Sequence, residues 1–313
     1  MQDIEKLLRT VYTMFSRSPV KKQKLEELAH ISEHDVVSFK PLNEVRWLSR
    51  QFAVNALMRN YDVLIEYCEE QVNKFNDPIC NYCITILTNP QYRVALTVFN
   101  DVLDDLASLY KFLQKSCLTT IEAFDYVKAK INQLKSLYLD NKIYWSEKVK
   151  KVGYDVDTAS IIRFVKRVCN HLNNRFPDDE LREWQAFNLN AILNALNFEF
   201  GNENIKRLIR EYSIILNVNN NESTASKILE QYCNFKFIIS QKLENCSIKT
   251  FTDMLNYVRN DDEFKELAVI IDIIGTFQAS SVDCERGFSV MNSIKCKIRN
   301  RLESEHLCDL MRI

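Results

Sequence analysis

Apolar residues recur along this chain at intervals of three and four, and alternation with a period of two is nearly absent. That is the signature of amphipathic helices. Ile4, Leu7, Leu8, Val11, Met14 and Phe15 form one stripe that stops ahead of Pro19, and Val20, Leu25 and Leu28 mark a second helix. Between Pro41 and Pro78 there is no glycine or proline, and Val54, Leu57, Met58, Tyr61, Leu64, Ile65, Cys68 and Val72 keep register, which predicts one long helix or two nearly continuous ones. After Pro90, Val94, Val98, Val102, Leu106, Leu109 and Leu113 give another helix, and Ile121, Phe124, Val127, Ile131 and Leu134 the next.

The period weakens over 142–157, which contains Gly153 and reads as a connector. Helices resume with Ile162, Val165, Val168 and Leu172. In "RFPDDELREW", Pro177 stops that helix and Asp178 or Asp179 caps a new one. In "FGNENIKRLIREY", Gly201 reads as a C-terminal stop ahead of an apolar face at Ile205, Leu208, Ile209 and Tyr212. "NVNNNES", Asn217 to Ser223, is the clearest surface loop, and Ile228, Leu229, Tyr232, Phe235, Ile239 and Leu243 form a further helix. "ELAVIIDIIGTF" suits a buried strand or a buried helix equally. The last helical stretch, within "SSVDCERGFSVMNSIKCKIRNRLE", puts Phe288, Met291, Ile294, Ile298 and Leu302 on one stripe, with Lys295/Arg299 and Lys297/Arg301 four apart on its flanks.

Composition sharpens the fold class. Only four glycines and five prolines occur in 313 residues, too few for the turns of a β-rich chain, so the fold class is mainly α. With 46% apolar and 27% charged residues the chain is ordinary globular material rather than disordered. Its net charge of −1 excludes binding nucleic acid by overall electrostatics and leaves only a local patch. Ten cysteines suggest disulfides, but "MQDIEKLLRTVYTMF" is amphipathic and not a secretory signal, which predicts reduced thiols. No apolar run is long enough to span a membrane.

Several motifs carry candidate chemistry that their context does not complete. Cys80 and Cys83 form a lone C-x-x-C without the second pair a zinc site needs, so they read as buried or half-buried thiols on a helical turn. His30 and His34 lack a further ligand and read as a polar connector. Asp101, Asp104 and Asp105 in "DVLDDL" read as the solvated face of an amphipathic helix. No metal and no cofactor is called for. The C-terminal stretch has three readings: a helix with a solvated basic edge, a basic edge that holds phosphates, or an apolar stripe that packs on another subunit.

At that stretch a resemblance enters. "SSVDCERGFSVMNSIKCKIRNRL…LCDLMRI" resembles the C-terminal dimerisation region of hAT-type transposases and their domesticated relatives, in which a Ser/Cys–Glu–Arg–x–Phe–Ser core precedes a basic Arg-x-Arg-Leu segment. "VYTMFSRSPVKKQKL", "LNEVRWLSR", "NNRFPDDEL" and "EFGNENIKRLIREY" resemble family segments in the same order, so the resemblance covers nearly the whole chain. Relatives usually carry a proline shortly before the Ser-Ser, where this chain has "GTFQASS".

The resemblance implies that Glu285 is the third of three carboxylates that hold two divalent metals in an RNase H-like site. The other two, and a zinc-binding BED finger, belong to family segments upstream of the helix with which this chain begins, so Glu285 is vestigial and no enzyme activity is expected. Trp47, after Arg46, matches the position at which active members stack an aromatic ring on an extruded base; the alternative is a core or groove tryptophan at a helix start. The architecture implied is N-terminal helices over 1–40, a helical insertion-like region over 41–247 and an RNase H-like remnant with the dimerisation segment over 248–313.

The function expected is therefore a catalytically inactive, transposase-derived protein that acts by association in the nucleus, with the cytoplasm as the other possible compartment. Its partner would be its own copy or a related hAT-derived protein, through Phe288, Met291, Ile294, Ile298, Leu302, Leu307 and Leu310. The same residues could instead close the core of a monomer. One alternative is a DNA-binding module using Arg46, Trp47, Arg286, Lys295, Lys297, Arg299 and Arg301. Another is a fragment without a selected role. No membrane and no small-molecule substrate is expected.

Overall fold

The computed structural model describes residues 2–42, 47–115, 118–140, 144–153, 157–177, 181–195, 197–218, 222–277, 279, 282–294, 303, 305–306 and 310–311, without the side chains of 47, 195, 222 and 282–285. It is mainly helical, and no strand occurs among the described residues. The chain divides into two compact units, residues 1–110 with 129–174 and residues 111–128 with 175–313.

The first unit is built from α1 (Gln2–Ser16), α2 (Pro19–Ile31), α3 (Trp47–Arg59), α4 (Tyr61–Phe75), α5 (Pro78–Leu87), most of α6 (Pro90–Leu113), the second part of α7 (Thr120–Tyr138), α8 (Glu147–Val152) and α9 (Ala159–Arg175). All six residues of the first stripe are buried on α1. Ser18 starts α2 by accepting the Lys21 N–H at 3.3 Å, with Pro19 in the first turn, where its missing N–H costs nothing. Asp77 caps α5 in the same way, accepting from Ile79 N–H at 2.8 Å and Cys80 N–H at 3.2 Å ahead of Pro78. In such a start the sequence itself satisfies the free N–H groups of the first turn.

Two apolar stripes differ from the expected ones. Val20 is 75% exposed, because five positions at 3.6 residues per turn set it about 140° away from the buried Leu25. On α9 the buried line is Ile161, Val165 and Cys169, with Ile162, Val168 and Leu172 on its half-buried shoulder. Polar neighbours on either side left room for both registers. The stretch between Pro41 and Pro78 holds two helices, broken at Asn60. Asn60 is buried, and its side chain accepts from the Val37 N–H at 3.0 Å and donates to the Val37 carbonyl at 2.6 Å. The connector contains α8, capped by Ser146 and ended by Gly153 at φ +87°.

Cys80 and Cys83 are wholly buried on α5, as is Cys68 on α4. Hydrogen bonds with Cys80 and Cys83, then burial, push the Cys68 thiol well up, so it stays protonated. Cys80 Sγ also lies 3.9 Å from Met14 Sδ. No group of three or more His, Cys, Asp or Glu among the described residues is arranged to hold a metal ion.

The second unit contains the ends of α6 and α7 that fall within 111–128, a 3-10 turn (Glu183–Phe187), α10 (Leu189–Ala195), α11 (Asn202–Glu211), α12 (Glu222–Glu244), α13 (Phe251–Arg259), a second 3-10 turn (Asp262–Phe264), α14 (Lys265–Thr276) and α15 (Val282–Ile294). Phe187, Tyr232, Phe235 and Phe264 form its aromatic centre, with ring centroids 5.7–6.1 Å apart. Thr250 and Asp253 make a capping box that starts α13. "ELAVIIDIIGTF" is helical, and its buried Leu267, Ile270, Ile271 and Ile274 fall at spacings of three, one and three. Gly201 stands at the start of α11 rather than at the end of a helix, at φ +74°. The asparagine-rich loop is shorter than expected, since α12 begins at Glu222.

Candidate association surface at the C-terminal helix

Helix α15 carries the core of the "CERGFS" motif and is tied to its own unit at its N-terminal half. The Arg286 guanidinium donates to the Gln114 carbonyl at 2.9 Å, just beyond the C-terminus of α6. A cation is favoured there because the last carbonyls of a helix have no partner of their own and carry its partial negative charge. Further along, Ser293 Oγ donates back to the Ser289 carbonyl at 2.9 Å, which turns that hydroxyl inward on its own helix.

From Arg286 to Ile294 no residue is buried. Phe288 is 60% and Val290 48% exposed, while Met291 and Ile294 are half-buried. Leu310 and Met311 are also exposed. Every other long helix of this unit buries an apolar line, as α12 does with Ile228, Tyr232, Phe235 and Ile239 and α14 with Leu267 to Ile274. An isolated helix of 13 residues is marginal in water, and its stability must come from packing an apolar face. Phe288, Met291 and Ile294 line such a face at spacings of three, and Val290 flanks it beside Ile294, about 160° round the helix from Phe288.

The remaining expected residues fall as follows. Trp47 is the first residue of α3, with its side chain outside the described residues, and Glu285 lies in α15 under the same restriction. Arg46, Lys295, Lys297, Ile298, Arg299, Arg301, Leu302 and Leu307 lie outside the described residues. Val290 was not singled out by the pattern, because the stripe through Phe288, Met291 and Ile294 passes beside it.

"DVLDDL" is not a solvated face. Asp101 Oδ2 accepts from Tyr138 Oη at 3.2 Å and from Ser146 Oγ, and Asp101 Oδ1 meets Lys148 Nζ at 3.0 Å. Asp104 accepts from Gln51 Nε2 at 3.0 Å and pairs with Lys148 at 3.1 Å. Asp105 pairs with Lys130 at 2.7 Å, both side chains being 17% exposed. Burial, then the Asp101 charge, pushes the Tyr138 hydroxyl well up, so it serves as a donor throughout the physiological range. The three carboxylates are consumed by structural partners up to 53 positions away in sequence, which no local pattern discloses. Asp101→Ala leaves the buried Tyr138 hydroxyl without its acceptor and should cost about 2–3 kcal/mol, measurable as a lower midpoint in urea.

No helix among the described residues is long and apolar enough to cross a membrane. No protein-family model matches the chain, and no solved structure matches it.

Proposed function

We propose that this chain is a catalytically inactive, transposase-derived protein that acts by association through α15, with a second copy of itself as the partner. The observation that carries the reading is that no residue from Arg286 to Ile294 is buried although Phe288, Val290, Met291 and Ile294 are apolar. Apolar side chains left at the surface of one helix mark an interaction site where they join into a single patch. The "SSVDCERGFSVMNSIKCKIRNRL" resemblance supports the same region, because in hAT-type transposases it is the dimerisation segment. On this reading the C-terminal part descends from an RNase H-like fold, Glu285 is a remnant of its metal-binding carboxylates, and the protein works in the nucleus.

A self-association that uses this face has a clear test. Phe288→Asp with Ile294→Asp places two charges where an apolar contact is needed, and neither residue belongs to the buried core. Sedimentation equilibrium should show a dimer for the unaltered chain and a monomer, with unchanged helical content, for the variant. The dimer should persist at high salt, since the contact is apolar. A monomeric unaltered chain overturns the reading. Steep, salt-sensitive binding of labelled branched DNA by that monomer would put nucleic-acid recognition in its place.

A further inference from the structure

The connection between α2 and α3 contains a preformed peptide-backbone edge. Asn60, buried at the junction of α3 and α4, engages both the N–H and the C=O of Val37. A single residue can offer both groups to one side only when its backbone is extended, since in a helix they point in opposite directions along the axis. In an extended backbone the neighbouring residues turn their own groups the other way, so the N–H and C=O of Val36 and Ser38 face away from Asn60. Among the described residues neither Val36 nor Ser38 makes a hydrogen bond. A second anchor holds the segment, because Phe39 stacks on Phe15 at 5.0 Å and 24°.

Beside this edge lies an apolar groove of about 380 Å³, lined by Phe15, Pro19, Leu25, Val36 and Phe39 with Lys22 among its walls. That volume falls in the range of about 300–1,000 Å³ typical of sites that take a small ligand or a large side chain. Lys22 has only a loose contact with Glu26, at 3.6 Å and half exposed. Arg17, beside the lining Ser16, and Lys40, beside Phe39, are exposed and have no ion pair among the described residues, against one exposed carboxylate in the same position, Asp35 beside Val36. The groove is therefore bordered by cations that can still take a carboxylate.

We propose that this edge and groove receive an extended segment of a partner protein, one that carries an apolar side chain flanked by acidic residues. The peptide backbone pairs with Val36 and Ser38 as an added strand, its apolar side chain enters between Phe15, Leu25 and Phe39, and a carboxylate meets Lys22. Main-chain pairing supplies affinity in this mode and the side-chain pocket supplies selectivity. Because Asn60 and Phe15 already fix the edge, little ordering entropy is lost on binding.

The test is selection of random short peptides displayed on phage against the full chain, followed by fluorescence polarisation of the enriched sequences as labelled synthetic peptides. Enriched peptides should alternate apolar and acidic residues. Ser38→Pro removes the outward N–H, and it leaves the fold intact because that N–H has no partner among the described residues and Val37 is already extended, as a residue before proline requires. It should weaken binding about ten-fold, the factor that the loss of one good hydrogen bond of roughly 1.4 kcal/mol gives. Lys22→Ala, on an exposed helix position, should weaken it several-fold at low salt with a normal melting curve. No enrichment, or enriched peptides that bind Ser38→Pro and Lys22→Ala as tightly as the unaltered chain, overturns the proposal.

Discussion

Gly201→Ala is expected to be among the most destabilising single substitutions in the chain, lowering stability by about 3–5 kcal/mol. The backbone at Gly201 is left-handed, with φ +74° and ψ −9°, and alanine there costs about 1–2 kcal/mol from conformation alone. Contact adds the larger part. A Cβ at this position would lie 1.8 Å from Tyr232 Oη and 2.6 Å from Tyr232 Cζ. Tyr232 cannot step aside cheaply, because it is wholly buried, donates to the Ala186 carbonyl at 3.1 Å and packs on Phe187 and Phe235. Moving it breaks a buried hydrogen bond and disturbs the aromatic centre of the second unit together.

Gly153 provides the comparison. It also has positive φ, but a Cβ there meets nothing within 4 Å, so Gly153→Ala carries only backbone strain, about 1–3 kcal/mol. In a Tyr232→Phe background, which lacks the nearest atom, Gly201→Ala should cost less than it does alone, and the difference measures the coupling of the two residues. Guanidinium denaturation of the four chains would check this. Equal costs for Gly201→Ala in both backgrounds would show that the backbone, and not Tyr232, sets the penalty.

Gly201 also shows where the sequence is legible and where it stops being so. A glycine between two apolar faces marks a chain turn correctly, yet one sequence position cannot say whether it closes the helix before it or opens the one after. The stripe of α1 was readable without ambiguity, because six apolar residues at helical spacing leave one possible face. On α9, with Ile161 and Ile162 adjacent, two faces were possible and burial chose the one through Cys169. The helical nature of Lys265–Thr276 could not be read from its period, since from Leu267 to Ile274 only Asp272 interrupts the apolar run. Partners distant in sequence were hidden for a different reason. The links from Asp101 to Ser146 and from Asn60 to Val37 depend on how helices fold back on each other, and a one-dimensional pattern holds no record of that. At the candidate surface the apolar stripe of α15 was legible, but its exposure was not, because a stripe that closes a core and one that faces outward have the same spacing.

Lys236 was equally hidden, and its replacement is the second large effect expected. Its position on α12 is fully buried. Its ammonium donates to the carbonyls of Phe198 and Phe200, the latter at 3.0 Å, and to Asn202 Oδ1 at 3.1 Å, with the rings of Tyr232 and Phe198 5.3 and 5.6 Å away. One side chain thus ties α12 to the turn that Gly201 terminates. Lys236→Ala removes the donor from three acceptors and leaves a void, at a cost of about 3–5 kcal/mol. Lys236→Met keeps most of the volume and loses only the donor, so it should fall between the alanine variant and the unaltered chain. Burial lowers the pKa of Lys236 below its ordinary 10.5, because an ammonium is poorly solvated there. Between that lowered value and 10.5 the unfolded chain binds more protons than the folded one, so this residue makes stability rise with pH across the window and leaves it flat below. In Lys236→Met that rise should vanish, and the stabilities of the two chains should diverge as the pH is raised through the window. Denaturation midpoints measured at a series of alkaline pH values give both slopes, and parallel curves would mean that the lysine titrates in the folded chain as it does in water.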